Sequence, residues 1–333
     1  MNIPALCRGA IVLAVLCMLS ACGGSIPSAS TSAASPSGVE KKTYQDLVVG
    51  FAQIGAESEW RTANTRSIQE TARHLGVELK FADAQQQQEN QIKAIRSFIA
   101  QRVDVIGVAP VVETGWDTVF TEVKQAGIPL IMLDRNANVP NNLFSAFIGS
   151  DFVQEGQRAC MEMAMLLNNH GNIVELDGTV GSAPAIDRRA GFQECLRAHP
   201  GMHVIAVQSG DFIRARGKEI METFLKSSDQ PINALFAQND DMALGAIEAI
   251  EEYGLKPGTD IKIVSVDAVR GAFDAMIAGK LNVTVECNPL LGPQFFETAL
   301  KLANGAPVEK RVKSKEDIYR QDTAAQELPK RKY

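Results

Sequence analysis

An α/β protein of two Rossmann-like lobes with parallel sheets is predicted from three features of the chain. Strand-like apolar runs alternate with helix-length amphipathic segments; the alternation occurs in two successive series; and 333 residues, 45% hydrophobic and 22% charged, suffice for two domains of ordinary size. Strands separated by helices of this length form βαβ units, and two sheets in tandem account for the pattern better than one very wide sheet.

In the first series a strand at 47–51 leads to a helix ending near Leu75, and one at 78–81 leads to a helix over 87–101. The strand at 105–109 leads to a helix ending at Ala126, and a fourth follows at 129–133. A strand at 144–148 then precedes a helix over 152–168, and further strands lie at 173–176, 204–207, 234–237 and 261–266. Gly76, Gly127 and Gly254 end helices, where a left-handed residue favours glycine, and Pro129 and Pro257 reinforce two of these stops. The glutamine run 85–88 reads as a polar first turn and exposed face, because Ile92, Ile95, Phe98 and Ile99 follow at helical spacing.

The N-terminus has its own logic. Arg8 precedes an apolar stretch over 9–19 that is too short to span a bilayer, so residues 1–21 read as a secretory leader. Leu19, Ser20, Ala21 and Cys22 resemble the lipobox of bacterial lipoproteins, which would make Cys22 the acylated first residue of the mature chain. The Gly, Ser, Ala, Thr and Pro stretch that follows cannot bury enough apolar surface to order itself, so 22–41 is expected to be a lipidated flexible tether.

Composition excludes several functions. A net charge of −6 with no basic run in the body gives no footprint for nucleic acid. His74, His170, His199 and His203 lack metal-ligand spacing, no C-x-x-C occurs, and no cofactor motif is found. Cys160, Cys195 and Cys287 leave at least one thiol unpaired; a Cys160–Cys195 bridge between neighbouring helices and three small buried hydrophobes are both open readings.

In open α/β sheets, ligands sit outside the carboxyl ends of the strands. That rule singles out residues 53–61, Asp83, Asp134 with Arg135, residues 177–188, residues 209–212, Asn239 with Asp240, and Asp267. Asp240 is expected to be the N-cap of its helix, Asp241 a first-turn acid complementing the dipole, and Asn239 the residue that faces the crevice. Arg188 opens a helix, where its charge opposes the dipole, so another partner is expected for it, while Arg189 is solvated. Arg61, Arg135 and Arg188 with Asp134, Asp267, Asn239 and the flat faces of Trp60 and Phe212 suit a neutral polyol, whose hydroxyls both donate and accept. Asp134 and Asp267 could form an acid/base pair, but neighbouring arginines should keep both ionised, and no catalytic motif is present. A non-enzymatic role is expected.

The stretches 48–61 (VVGFAQIGAESEWR), 131–136 (IMLDRN), 174–192 (VELDGTVGSAPAIDRRAGF), 208–224 (QSGDFIRARGKEIMETF) and 237–250 (AQNDDMALGAIEAI), with LPKRKY at 328–333, resemble the type I periplasmic sugar-binding proteins of ABC importers, the ribose-binding class, and within it the galactofuranose type. The resemblance implies a three-crossover hinge. Lobe 1 would then be 42–150 plus 288–307, lobe 2 would be 151–287, and 308–333 would be a crossover tail. It also implies a ligand set of Trp60, Arg61, Asp134, Arg135, Arg188, Phe212, Asn239 and Asp267, with Gln53 and Glu286 as weaker members. The implied partners are a monosaccharide, an ABC permease with its ATPase, and the membrane through Cys22, the protein itself being a monomer on the periplasmic side. A sensor presenting its closed form to a histidine kinase or chemoreceptor would use the same fold. A repressor of the same ligand fold would need a helix-turn-helix where this chain has its leader and tether.

Overall fold

The computed structural model describes residues 41–333. The expected leader, Cys22 and nearly all of the tether fall on residues 1–40, outside the described residues.

The first series of elements is β1 (Val48–Gln53), α1 (Glu59–Leu75), β2 (Glu78–Asp83), α2 (Gln88–Ala100), β3 (Val105–Val108), α3 (Asp117–Gln125), β4 (Leu130–Leu133) and β5 (Ala146–Gly149). The second is α4 (Phe152–Leu166), β6 (Gly171–Asp177), α5 (Ala183–Leu196), β7 (Met202–Ser209), α6 (Arg214–Ser227), β8 (Ala234–Ala237), α7 (Asp240–Glu252), β9 (Lys262–Asp267), α8 (Arg270–Ile277) and β10 (Val283–Glu286). The chain finishes with α9 (Gly292–Ala303), β11 (Arg311–Lys313), β12 (Ile318–Arg320) and α10 (Ala324–Glu327). Two six-stranded sheets result, ordered β11-β5-β4-β3-β1-β2 and β12-β10-β9-β8-β6-β7. All described pairings are parallel except that of β10 with β12.

The apolar runs become strands because helices cover both faces of each sheet. β3, β4, β5, β8 and β10 are buried at every residue, and Phe51, Phe236, Phe273 and Phe295 fill the layers on either side. Helices end where glycine was expected to end them: Gly76, Gly127 and Gly254 have φ of 77, 72 and 89°.

Several details differ from the sequence reading. Within the tail 308–333, β11 joins the first sheet and β12 the second, so the second lobe as well as the first is assembled from separated pieces of chain. Gln85 and Gln86 form a left-handed turn, with φ of 52 and 61°, before α2 begins at Gln88. Beyond them, Gln91 is fully buried and joins the ends of β1 and β3: its amide donates to the Ala52 and Ala109 carbonyls and accepts from the Val111 amide. The cap of α7 is Asn239, whose side chain accepts from the Met242 amide at 3.0 Å. Asp240 lies one residue inside the helix and points into the core instead, accepting from Thr284 Oγ1 and the Val269 amide at 2.9 Å each, and from Ser265 Oγ.

Cys160 and Cys195 are bridged, with Cα atoms 6.1 Å apart, and Cys287 is free and buried. The bridge staples α4 to α5 where the two helices already touch backbone to backbone. A Cβ at Gly156 would overlap the Arg188 carbonyl oxygen, and one at Gly191 that of Val153. The helix pair matters because α5 carries Arg188. Closing a 35-residue separation restricts the unfolded chain, so Cys195→Ser should lower the unfolding free energy by about 2–4 kcal/mol. Guanidinium denaturation of the oxidised protein and the variant measures this, and coincident midpoints would leave the bridge without a stabilising role.

Candidate functional site

A small cavity lies between the two lobes, lined by Glu57, Ser58, Trp60, Arg61, Asp134, Arg135, Pro184, Arg188, Phe212, Asn239, Asp267 and Cys287. The lining side chains are buried, so the cavity is closed over.

The first lobe supplies one wall. Ser58 caps α1 by accepting from the Arg61 amide at 3.1 Å, which turns Trp60 and Arg61 inward. Arg61 donates through Nη2 to Asp134 Oδ2 at 2.7 Å and through Nε to Glu57 Oε1 at 3.1 Å, and its guanidinium lies 4.6 Å from the Trp60 ring centre. Trp60 also donates from Nε1 to the Cys287 carbonyl at 2.6 Å, tying this wall to the second crossover. Arg135 is held less completely. It donates from Nη1 to the Val111 carbonyl at 3.1 Å and approaches Glu57 Oε1 only to 3.7 Å, while its Nε and Glu57 Oε2 are both buried without a partner.

The second lobe supplies the other wall. Arg188 donates from Nε to Glu155 Oε2 at 2.7 Å and from Nη1 to the Gln238 carbonyl at 2.6 Å, with Asp267 Oδ1 at 3.8 Å from Nη2. Because α5 starts at Ala183, Arg188 lies in its second turn rather than opening it. Its partner is the Glu155 carboxylate on α4, not relief from the helix dipole. Phe212 faces two guanidiniums, Arg135 at 5.2 Å and Arg188 at 6.0 Å. Asn239 spends its oxygen on the cap of α7 and donates from Nδ2 to the Phe212 carbonyl at 3.2 Å.

Electrostatics separate the two carboxylates across the chamber. Burial pushes the Glu57 carboxyl upward, but Arg61 and Arg135 outweigh it and hold it below the usual range. Burial and the adjacent Arg61 pull the Arg135 guanidinium down to about 10. For Asp267, which arginines were expected to keep ionised, the balance leans the other way. Burial pushes its carboxyl well above the ordinary range, because Arg188 stands beyond hydrogen-bond distance and Asp240 and Asp241 add like charge.

Backbone conformation marks the same residues. Asp134, Phe212 and Asp267 have φ of 63, 64 and 129°. Non-glycine residues held there cost about 1–3 kcal/mol each, a strain found where side chains must be aimed at a site.

Trp60, Arg61, Asp134, Arg135, Arg188, Phe212, Asn239 and Asp267 are thus brought to one cavity. Gln53 and Glu286 are not. Gln53 donates to Asn64 and Thr65 and accepts from Arg61 Nη1 at 3.4 Å, so it backs Arg61. Glu286 faces the tail, accepting from Arg331 and Tyr333 at 2.8 Å each. Asp83 is exposed and accepts from the Gln85 amide. Arg189 is half-exposed and paired with Asp177 at 2.9 Å. Glu57, Pro184 and Cys287 line the cavity without having been singled out; the first two lie inside the strand-end segments 53–61 and 177–188, and Cys287 lies just beyond β10.

A family model described as periplasmic binding protein domain matches residues 49–307. The chain is 45% identical over 291 residues to the galactofuranose-binding protein YtfQ of Escherichia coli (strain K12), covering 86% of this chain and 92% of that protein. A Mycobacterium smegmatis structure in complex with β-D-fucofuranose is 53% identical with a TM-score of 0.84, covering 86% of this chain and 95% of that one. The periplasmic binding protein component of the arabinose ABC transporter from Shewanella sp. ANA-3, bound to α- and β-L-arabinofuranose, is 48% identical with a TM-score of 0.84, covering 86% and 96%. With two parallel sheets joined by three crossovers around one enclosed chamber, the chain belongs to the periplasmic binding protein family, in its two-lobed type I fold.

Proposed function

We propose that this chain is an extracytoplasmic substrate-binding lipoprotein of an ABC importer, and that it closes its lobes around one neutral monosaccharide in furanose form. The observation that carries this reading is the chamber lined by both Arg135 and Glu57, whose Nε and Oε2 are each buried without a partner. A buried donor and a buried acceptor left open cost free energy until a guest supplies both, and a sugar hydroxyl does. Three guanidiniums facing three carboxyl groups give an anionic guest no advantage. The furanoses bound by the similar M. smegmatis and Shewanella proteins support the ring form, and the Cys160–Cys195 bridge supports an oxidising compartment. The binding itself requires no catalytic step. The closed form would be what the permease engages.

Thermal unfolding of residues 41–333 with galactofuranosides, L-arabinose, D-fucose, pyranosides locked as methyl glycosides, and anionic sugar acids tests the reading. A guest that binds only the native state raises the midpoint by mass action, so furanose-forming neutral sugars should raise it selectively; a flat panel would overturn the proposal.

Arg135→Ala or Asp134→Ala should cost about 2–5 kcal/mol of sugar affinity, because each removes a buried charged group that lines the chamber and weakens the ion-pair network through Glu57 and Arg61. Titration calorimetry on the folded variants measures it, and unchanged affinity would remove the residue from the site.

The anchor has its own test. Acylation of Cys22 would give more than the one chain that holds a protein only reversibly, so Cys22→Ser should move the protein from the membrane fraction to the soluble envelope fraction. Retention on the membrane would place the anchor elsewhere.

A further inference from the structure

The first amides of an α-helix have no partner within the helix. In α1 two of them are satisfied from different sources. The Arg61 amide is taken by Ser58 of the same lobe, but the Glu59 amide donates to Asp241 Oδ2 at 2.7 Å, and Asp241 stands on the first turn of α7 in the other lobe. The second Asp241 oxygen lies 3.4 Å from Arg214 Nε. Glu59 reaches back across the same seam: its Oε2 lies against the start of α8, where a Cβ on Gly271 would meet it at 3.1 Å. Each lobe therefore sets a carboxylate at a helix N-terminus of the other, the end whose partial positive charge favours an anion. Asp241 and Glu59 are not among the residues lining the cavity.

We propose that Asp241 is a positioning residue, an inter-lobe helix cap that latches the closed form and so sets sugar affinity without touching sugar. The proposal rests on the reading that the lobes close around a guest. Closing the latch is not free. Burial raises the Asp241 carboxyl, and burial followed by the facing Asp241 charge raises that of Glu59. The hydrogen bond thus offsets a desolvation cost rather than closing the empty protein outright, which leaves the decision to the guest.

The two sides of the latch can be cut independently. Asp241→Ala removes the acceptor. Glu59→Pro removes the donor at the first helical position, where proline is tolerated, and the preceding Ser58 already has the extended backbone that proline requires, with φ −144° and ψ 163°. In the full chain, each variant should raise the Kd for L-arabinose and for D-galactose by about tenfold or more. The factor should be the same for both sugars, and the loss should appear as faster release. The double variant should be no worse than Glu59→Pro alone by more than about twofold, since Asp241→Ala removes a contact that Glu59→Pro has already cut along with the Glu59 carboxylate. Unequal factors for the two sugars would make Asp241 a ligand contact, and wild-type affinity in both folded variants, or fully additive losses, would equally overturn the latch. If the wild type binds neither sugar, the sugar reading fails separately. Spin-label distances across the lobes of the sugar-free protein then decide the latch: a shift toward the open form in either variant upholds it, and distributions identical to wild type overturn it.

Discussion

Three arginines buried in one chamber set the terms for everything around them. A guanidinium taken out of water costs several kcal/mol unless a carboxylate and further acceptors replace the lost hydration. Arg61 is answered by Asp134 and Glu57, and Arg188 by Glu155 and the Gln238 carbonyl. Arg135 is answered only in part, by a carbonyl and a distant Glu57 oxygen. On the proposed reading the incomplete answer is left for a guest with hydroxyl groups, while the complete ones hold the other two cations in place.

The fold exists in a form that can deliver those charges. Parallel sheets end their strands on one edge, so Asp134, Asp267 and Asn239 arrive at the chamber directly from β4, β9 and β8, and strained backbone at Asp134 and Asp267 aims them. Helices deliver the rest. Arg188 and Glu155 meet only because α4 and α5 touch at Gly156 and Gly191, and the disulfide stands on the same pair. Packing at a helix crossing thereby becomes the register of a binding site.

The crossovers carry a second set of buried polar contacts. Ser150, on the first, bonds to Glu316 on the third, and Glu316 also accepts from the Asn288 amide beside the second at 3.1 Å. Burial pushes the Glu316 carboxyl up to about 8, while its hydrogen bonds link the passages of chain. Next to it, Glu286 is caged by Arg331, Tyr333 and the Asp317 amide, which binds the C-terminal tail to the end of β10. The crossovers are thus cross-linked side to side, and the lobes also meet at the rim, where the Glu59 amide donates to Asp241.

What the sequence determined by itself was local and periodic. Apolar runs at 105–109 and 234–237 could only be buried strands, glycines at 76, 127 and 254 could only stop helices, and polar residues directly after strands had to stand at one edge of a parallel sheet. From that edge, Trp60, Arg61, Asp134, Arg135, Arg188, Phe212, Asn239 and Asp267 were legible before any coordinates. The tertiary structure decided whatever depended on two distant segments meeting. Asn239 rather than Asp240 caps α7 because Ser265, Thr284 and Val269 offer Asp240 better partners in the core. Gln53 supports Arg61 and Glu286 holds the tail, since backing a site residue and touching the chamber look alike in one dimension. The Cys160–Cys195 bridge needed the α4 and α5 approach, and the upward push on the Asp267 carboxyl came from its burial with Arg188 no nearer than 3.8 Å. Hydrophobic period and turn chemistry act over a few residues and are written along the chain, whereas burial, charge balance and inter-lobe contact are properties of three-dimensional neighbours and exist only once the chain has folded.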